Sequence, residues 1–284
     1  SSFSTSRTFS LNAATVGIDV TAGSTLTLSA PFAYSVASNA LQKNDLGTLL
    51  IGSTVNNSAL AGTWTINAGA LRVSDNSSLN GATGSVTVVA NVNVALQLAG
   101  GMTHNKSTGV ITINGSGINS SGAIQSVSGT NVVSSAITLG AASWLGADDG
   151  STLNLSGGFL GAQALTINTA GSGQVNFTGA IGAAAVPTGI TKLGSGSSTL
   201  SVASSAYTGT LAINAGTFTI SDAGILGDTG AVTVQPGAAL AVSDAGTATT
   251  SRLGGRALTL AAGTFNYTIN SGAGSLNMYH NDFR

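Results

Sequence analysis

Cysteine and glutamate are absent from this 284-residue chain, and charged residues make up only 6% of it. Without cysteine the chain has neither a disulfide framework nor a thiolate metal site. Ordinary globular proteins carry about 25% charged residues. The scarcity of Glu, Lys and Gln removes the side chains that usually cover exposed helices. The composition therefore argues against a helical protein.

Charge and hydropathy exclude further classes of protein. The net charge is −1, so no basic surface is expected for nucleic acid. The longest apolar stretch, 179–189, is rich in Ala and Gly, is interrupted by Pro187 and is too short to span a membrane. A mean hydropathy of +0.36 indicates enough apolar surface to fold. The chain starts at Ser1 without a signal segment, and we interpret it as a mature or excised fragment of an exported protein.

Short runs of alternating apolar and polar residues recur about every ten positions, for example at 25–28, 63–66 and 85–88. Such alternation, bounded by Gly, Asn and Ser, is typical of half-buried β-strands. No long segment has a helical period, and only residues 38–44 could form a short helical turn. The pattern predicts an all-β protein.

An internal repeat distinguishes between the β architectures. The decapeptide INAGALRVSD at 66–75 returns as INAGTFTISD at 213–222, an offset of 147. The heptapeptide GSTLTLS at 23–29 returns as GSTLNLS at 150–156, an offset of 127. The second copy thus holds 20 more residues, which would disrupt a closed barrel but only add one coil to a solenoid. We expect that coil within 163–189.

The repeat predicts a single parallel β-solenoid spanning 1–284, with copies at 20–101 and 147–272. Coils of 20–22 residues would give roughly 13 coils. Ile66 and Ile213, like Val73 and Ile220, should point inward in equivalent ladders, a ladder being a row of corresponding side chains on successive coils. Gly and Asn tolerate the backbone conformation of tight corners. The predicted corner residues are Asn67, Gly69, Asn214 and Gly216.

The second copy contains TKLGSG at 191–196, YTGTL at 207–211 and INAGTFTI at 213–220. These segments resemble the autotransporter-associated β-strand repeat, and LQKNDLGTL at 41–49 resembles its opening more loosely. The resemblance implies an exported passenger region, folded as a right-handed parallel β-helix on the surface of a Gram-negative bacterium. The motif implies no substrate. Residues 278–284 depart from the repeat.

Few residues are candidates for chemistry. Asp148 and Asp149 are the only adjacent carboxylates, but the following Gly150 favours a turn over a catalytic pair. His104 and His280 are the only histidines, and no G-x-S-x-G motif accompanies them. We expect His104 to be a solvated loop residue. We predict no catalytic residue, cofactor or metal.

The tryptophans and the ends of the solenoid are candidates for binding. Trp64 and Trp144 lie in or near predicted strands and could be platforms on which sugars stack. Open strand edges at both ends lack charged residues that would block pairing, so we expect end-to-end contacts with copies of the chain or with further coils of a longer one.

The sequence thus favours a non-catalytic structural component of the bacterial cell surface, such as a stalk, fibre or surface-layer rod. An adhesin that binds surface glycans is the alternative, and a carbohydrate-active β-helix enzyme is a remote one.

Overall fold

A computed structural model describes residues 1–34, 39–52, 55–79, 81, 83–105, 108–182, 186–243 and 251–268. Within these ranges the chain forms thirty β-strands, numbered β1 to β30, and one short 3-10 helix, Ile118–Ser120. Every pairing between strands is parallel, and the strands stack in three faces. The predicted parallel β-solenoid is therefore confirmed, whereas its right-handed sense stays a prediction.

Face 1 is the longest stack. Its strands are β1 (Ser2–Thr5), β4 (Thr25–Leu28), β7 (Thr48–Ile51), β9 (Gly69–Val73), β11 (Val94–Leu98), β14 (Ile124–Ser126), the second half of β16 (Ile137–Ala147), β19 (Ala164–Thr169), β21 (Gly189–Leu193), β24 (Thr210–Ile213), β27 (Val232–Val234) and β29 (Leu258–Leu260).

Two shorter stacks complete the solenoid. Face 2 holds β3 (Thr15–Asp19), β6 (Ala40–Asn44), β8 (Trp64–Ile66), β10 (Val86–Val88), β13 (Ile111–Gly115), the first half of β16 and β18 (Phe159–Leu160). Face 3 holds β12 (Thr103–His104), β15 (Thr130–Val133), β17 (Thr152–Leu155), β20 (Gln174–Phe177), β22 (Ser197–Leu200), β25 (Thr217–Ile220), β28 (Ala239–Ser243) and β30 (Thr264–Thr268). Two separate pairs are β2 (Ser10–Leu11) with β5 (Ala33–Tyr34), and β23 (Ala203–Ser204) with β26 (Ile225–Leu226).

Over the described residues the solenoid has about 11 turns, since 11 successive pairings link the strands of face 1. The expected total of roughly 13 coils stays a prediction. The coils are longer than the repeat offset suggested. One turn takes 21 residues from Ile124 to Leu145, but 28 from Leu96 to Ile124, where the 3-10 helix lengthens the corner. Coil length in a solenoid varies freely because each coil pairs only with its neighbours.

In most strands alternate residues are buried, and residues at corresponding positions of successive coils stack as ladders. One ladder runs unbroken along face 1, and its twelve members are Phe3, Leu26, Leu49, Leu71, Leu96, Ile124, Leu145, Ile167, Lys192, Ile213, Val234 and Leu260. All but Lys192 are apolar, so the core is one continuous hydrophobic column. Residues 40–44 are not helical, because Leu41 and Lys43 alternate inward in strand β6.

The two repeat copies lie one corner apart around the axis. In the first copy the chain turns from β8 on face 2 to β9 on face 1, and in the second from β24 on face 1 to β25 on face 3. Ile66 and Ile213 are both fully buried, as expected. The two isoleucines take equivalent positions, each next to a buried lysine, in ladders of different faces. The repeated motif determines a corner and its two flanking strands, whichever faces those strands join.

The second copy also contains one extra coil, as the 20-residue difference predicts. Two pairings lead from β4 to β9, whereas three lead from β17 to β25. Strands β19 and β20, within 163–189, belong to this part of the second copy.

Candidate functional sites at the corners and on the outer faces

The repeated corners have the same backbone geometry in both copies. The amides of Asn67 and Ala68 donate to the carbonyl oxygen of Lys43 at 2.9 and 3.4 Å. The amides of Asn214 and Ala215 donate to the Lys192 carbonyl at the same two distances. Gly69 and Gly216, which end these corners, have φ angles of 64° and 65°.

Glycine is required at these two positions by space as well as by conformation. A Cβ atom on Gly69 would lie 2.3 Å from the carbonyl oxygen of Gly47, one coil earlier. A Cβ atom on Gly216 would lie 2.2 Å from the oxygen of Gly196. Corners of successive coils therefore stack too closely for any side chain at these glycines.

Two lysines point into the core beneath these corners, which sequence reasoning missed. Lys43 lies between Ile18 and Ile66 in a ladder of face 2, and Lys192 takes the same kind of position in face 1. Both side chains are fully buried. The signal was present in the sequence, since these are two of only three lysines and they stand 23 and 21 residues before Ile66 and Ile213.

Each lysine binds backbone carbonyls from two coils. The Lys43 Nζ donates to Asn44 O at 2.5 Å, Asp45 O at 2.7 Å and Ala68 O at 3.1 Å. The Lys192 Nζ donates to the oxygens of Leu193, Gly194 and Ala215 at 2.7, 2.9 and 3.4 Å. Three donors of an ammonium group thus meet three acceptors, and the bonds join one corner to the next.

The surroundings of the two lysines differ in charge. Burial lowers the pKa of Lys43 to about 8, while the Asp45 and Asp19 carboxylates act in the opposite direction. Burial also lowers the pKa of Lys192 to about 8, and no carboxylate opposes it. Lys192 follows Lys43 by 149 residues, and at the same offset Asn168 stands in place of Asp19 and Gly194 in place of Asp45. Lys192 is therefore an ammonium held by backbone dipoles alone.

A buried arginine joins the loops of three coils near the C-terminal end. Arg256 donates to the carbonyl oxygens of Gly227 at 2.7 Å and Gly209 at 2.5 Å, and also to that of Tyr207. Its guanidinium lies 5.1 Å above the Tyr207 ring. Burial raises the pKa of the Tyr207 hydroxyl above its usual range. Like the two lysines, Arg256 donates its hydrogen bonds to carbonyl oxygens inside the solenoid. None of these three cations is therefore available to an external ligand.

A chain of hydrogen bonds crosses four coils at the edge of face 1. Arg72 donates from Nε and Nη2 to Gln97 Oε1 at 3.0 and 2.8 Å. The Gln97 amide donates to Gln125 at 2.8 Å, and Gln125 donates to Asp148 at 2.6 Å. Since Arg only donates and ionised Asp only accepts, the two ends determine the orientation of both amides. The chain holds successive coils in register.

The two tryptophans lie in opposite environments. Trp64 is fully buried, its Nε1 donates to Leu79 O at 2.8 Å, and its ring lies 6.0 Å from that of Phe32. It cannot be a sugar platform, because its position in β8 points inward. Trp144 points outward from β16 between the buried Ser143 and Leu145, and it is partly exposed. The glycan-stacking hypothesis for Trp144 stays a prediction.

Asp149 and Asp75 accept hydrogen bonds in turns, and His104 is buried. Asp149 accepts bonds from the amide and hydroxyl of Ser172 in the next coil, and these bonds lower its pKa. Asp75 accepts bonds from the amide and hydroxyl of Ser77 in its own turn. His104 is buried beside Val133, so the expectation of a solvated loop residue was wrong. His280 lies outside the described residues.

Across the ranges that the structure describes, no group of three or more His, Cys, Asp or Glu is placed to hold a metal ion. No helix in the same ranges is long and apolar enough to cross a membrane.

Comparison of the chain with protein-family models, with curated proteins and with solved structures finds no match. The resemblance to the autotransporter-associated repeat therefore depends on the quoted motifs and on the β-solenoid fold that they imply.

Proposed function

We propose that this chain is a non-catalytic rod of the bacterial cell surface, acting as a stalk, a fibre or a surface-layer component. The observation that carries the proposal is the unbroken ladder from Phe3 to Leu260. A core of this kind transmits load along one axis, since each coil packs on the next through the same backbone bonds and apolar contacts.

The placement of charge supports the same function. Lys43, Lys192 and Arg256 bind corner carbonyls inside the solenoid, which strengthens the stacking of coils. The hydrogen-bond chain from Arg72 to Asp148 likewise joins successive coils, through the buried side chains of Gln97 and Gln125. These polar groups bind other coils, as expected of a structural protein.

Surface location is tested in the bacterium that encodes the chain. Intact cells are treated with a protease too large to enter them, and the chain is followed with an antibody. Loss of the signal from intact cells, with a cytoplasmic marker preserved, is the expected result. A signal that disappears only after lysis would overturn the proposal of a surface rod.

An adhesin is the second candidate, and the outward position of Trp144 favours it. A glycan array would compare the chain with its Trp144→Ala variant, using Thr166→Ala on the neighbouring strand as the matched control. Binding that is lost in the tryptophan variant alone would support an adhesin. Equal profiles of all three proteins would remove Trp144 as a glycan site.

A further inference from the structure

The corner between β13 and β14 folds back over the outer side of face 1 and reaches across a whole coil. Asn168 Nδ2, two coils later, donates to Ser120 O in this corner at 2.9 Å. In the opposite direction the amide of Asn119 donates to Asn93 Oδ1, one coil earlier, at 3.3 Å. The coil that is crossed carries Gly146, where any Cβ atom would overlap this corner. The corner therefore joins four successive coils into a first block, from residue 93 to residue 168.

Arg256 makes a second contact that skips a coil. Its guanidinium donates to the carbonyl oxygens of Gly209 and Tyr207, two coils earlier, and to that of Gly227 in the coil between them. In most solenoids each coil touches only its neighbours, so a bond that skips a coil makes several coils open together. The contacts of Arg256 therefore define a second block, from residue 207 to residue 256.

The residues between the two blocks, 169–182 and 186–206, have no such bond among those described. Their hydrogen bonds stay within one coil or reach the adjacent coil. Three buried polar atoms there have no hydrogen-bond partner among the described residues, namely Thr169 Oγ1, Asn176 Oδ1 and Ser198 Oγ. A buried polar atom that lost its water without gaining a partner destabilises the folded chain.

The first copy of the repeat shows that the fold does not require these hydroxyls. At the offset that relates the two buried lysines, Val20 stands in place of Thr169 and Leu49 in place of Ser198. Both residues of the first copy are buried and apolar. The second copy also lacks the two aspartates that lie near the lysine of the first. The same coils are thus built with weaker contacts in the second copy.

We propose that residues 169–182 and 186–206 are a yielding segment, which opens and closes locally while the blocks on both sides stay folded. The bonds that skip a coil hold the blocks together, and the unsatisfied hydroxyls between them lower the free energy of opening. In a surface rod this segment would be the place where the rod bends or lengthens under load, a role that rests on the proposed function. The local opening itself does not depend on where the chain is located.

Hydrogen exchange of the full chain, read by mass spectrometry at low urea concentrations, measures local opening. Peptides from 186–204 should exchange at least about tenfold faster than peptides from 111–147 in the first block and from 210–234 in the second. The comparison stays within the middle of the chain, so fraying of the terminal coils does not affect it.

Two variants remove the unsatisfied hydroxyls, and one variant is their control. Ser198→Ala and Thr169→Val should each slow exchange in 186–204 about tenfold, as expected for one unsatisfied buried group, and leave both blocks unchanged. Ser143→Ala is the matched control, because Ser143 is equally buried but its hydroxyl donates to Ile113 O at 2.9 Å. This control should leave 186–204 unchanged and speed exchange near β16.

Exchange at one common rate across the two blocks and the yielding segment would overturn the inference. A failure of either hydroxyl variant to slow exchange in 186–204 would also overturn it, since the hydroxyls would then not weaken the segment. Local opening in a chain that lies inside the cell would leave the inference standing and refute the surface rod. Uniform exchange in a chain that is exposed on intact cells would do the reverse.

Discussion

Gly216→Ala tests the corner geometry most directly, and Gly237→Ala is its matched control. Both glycines have positive φ, 65° and 77°, but only Gly216 faces other atoms. A Cβ atom on Gly216 would lie 2.2 and 2.5 Å from the oxygens of Gly196 and Gly194, whereas nothing lies within 4 Å of one on Gly237. The pair therefore separates backbone conformation from steric overlap.

The expected costs follow from this difference. A left-handed alanine costs ~1–2 kcal/mol. Alanine also lowers the conformational entropy of the unfolded chain, which stabilises the folded state by ~0.4–1 kcal/mol. Gly237→Ala should therefore lose about 1 kcal/mol of unfolding free energy. Gly216→Ala carries the same conformational term and adds ~1–3 kcal/mol for the displacement of two backbone carbonyls. We expect a loss of about 3 kcal/mol, and a similar loss for Gly69→Ala in the first copy.

Urea denaturation followed by circular dichroism measures the three variants against the native chain. Limited proteolysis adds a local readout, with new cleavage expected near residues 194–216 in Gly216→Ala only. Equal losses for Gly216→Ala and Gly237→Ala would mean that the stacked corners are not in contact, and the reasoning would fail.

Three further predictions concern the core. Ile213→Ala should lose about 2–5 kcal/mol of unfolding free energy in urea, since the side chain is fully buried, and a loss near zero would contradict the inward register. The unfolding free energy should rise between pH 8 and pH 9.5, by about 2 kcal/mol for each of Lys43 and Lys192. Their pKa in the folded chain is about 8, below the value of 10.5 in the unfolded chain. The unfolded chain therefore binds more protons in this range, and its stability relative to the folded chain falls as the pH rises. Below about pH 7 this contribution should be constant, because both lysines are then protonated in the folded and the unfolded chain. A double Lys→Met variant that keeps the same rise would refute the assignment. Arg256→Ala should lower the unfolding free energy by about 3 kcal/mol or more, since three buried carbonyls lose their hydrogen-bond donor. An unchanged melting temperature would contradict the role of Arg256 in joining the coils.

Sequence reasoning succeeded where the information is local. Alternation at 63–66 predicted a strand, and the paired offsets of 147 and 127 predicted an extra coil. Both features follow from short-range patterns, since a half-buried strand needs alternating side chains whatever its neighbours are. Glycine recurring at 69 and 216 likewise indicated corners before any partner was known.

The same reasoning failed where the answer depended on a neighbouring coil. Trp64 and Trp144 both follow a strand pattern, yet only the pairing of β8 with its neighbouring strands decides that Trp64 points inward, where its ring packs against that of Phe32. The burial of Lys43 and Lys192 was not predicted, because their partners are the carbonyls of the next corner. The lengths of the individual coils could not be predicted either, because corners can lengthen without any change in the strands.

The sequence by itself determined that this chain forms short strands joined by glycine corners, that the motif occurs twice and that few charges remain for its surface. Only the tertiary structure decided that the second copy is rotated by one corner, and that Lys192 completes the ladder from Phe3 to Leu260. The reason is physical. The alternation of side chains in a strand depends on its own residues. The face of the solenoid that the strand joins depends on the summed length of all preceding coils. The burial of a cation depends on carbonyl acceptors that lie one coil away.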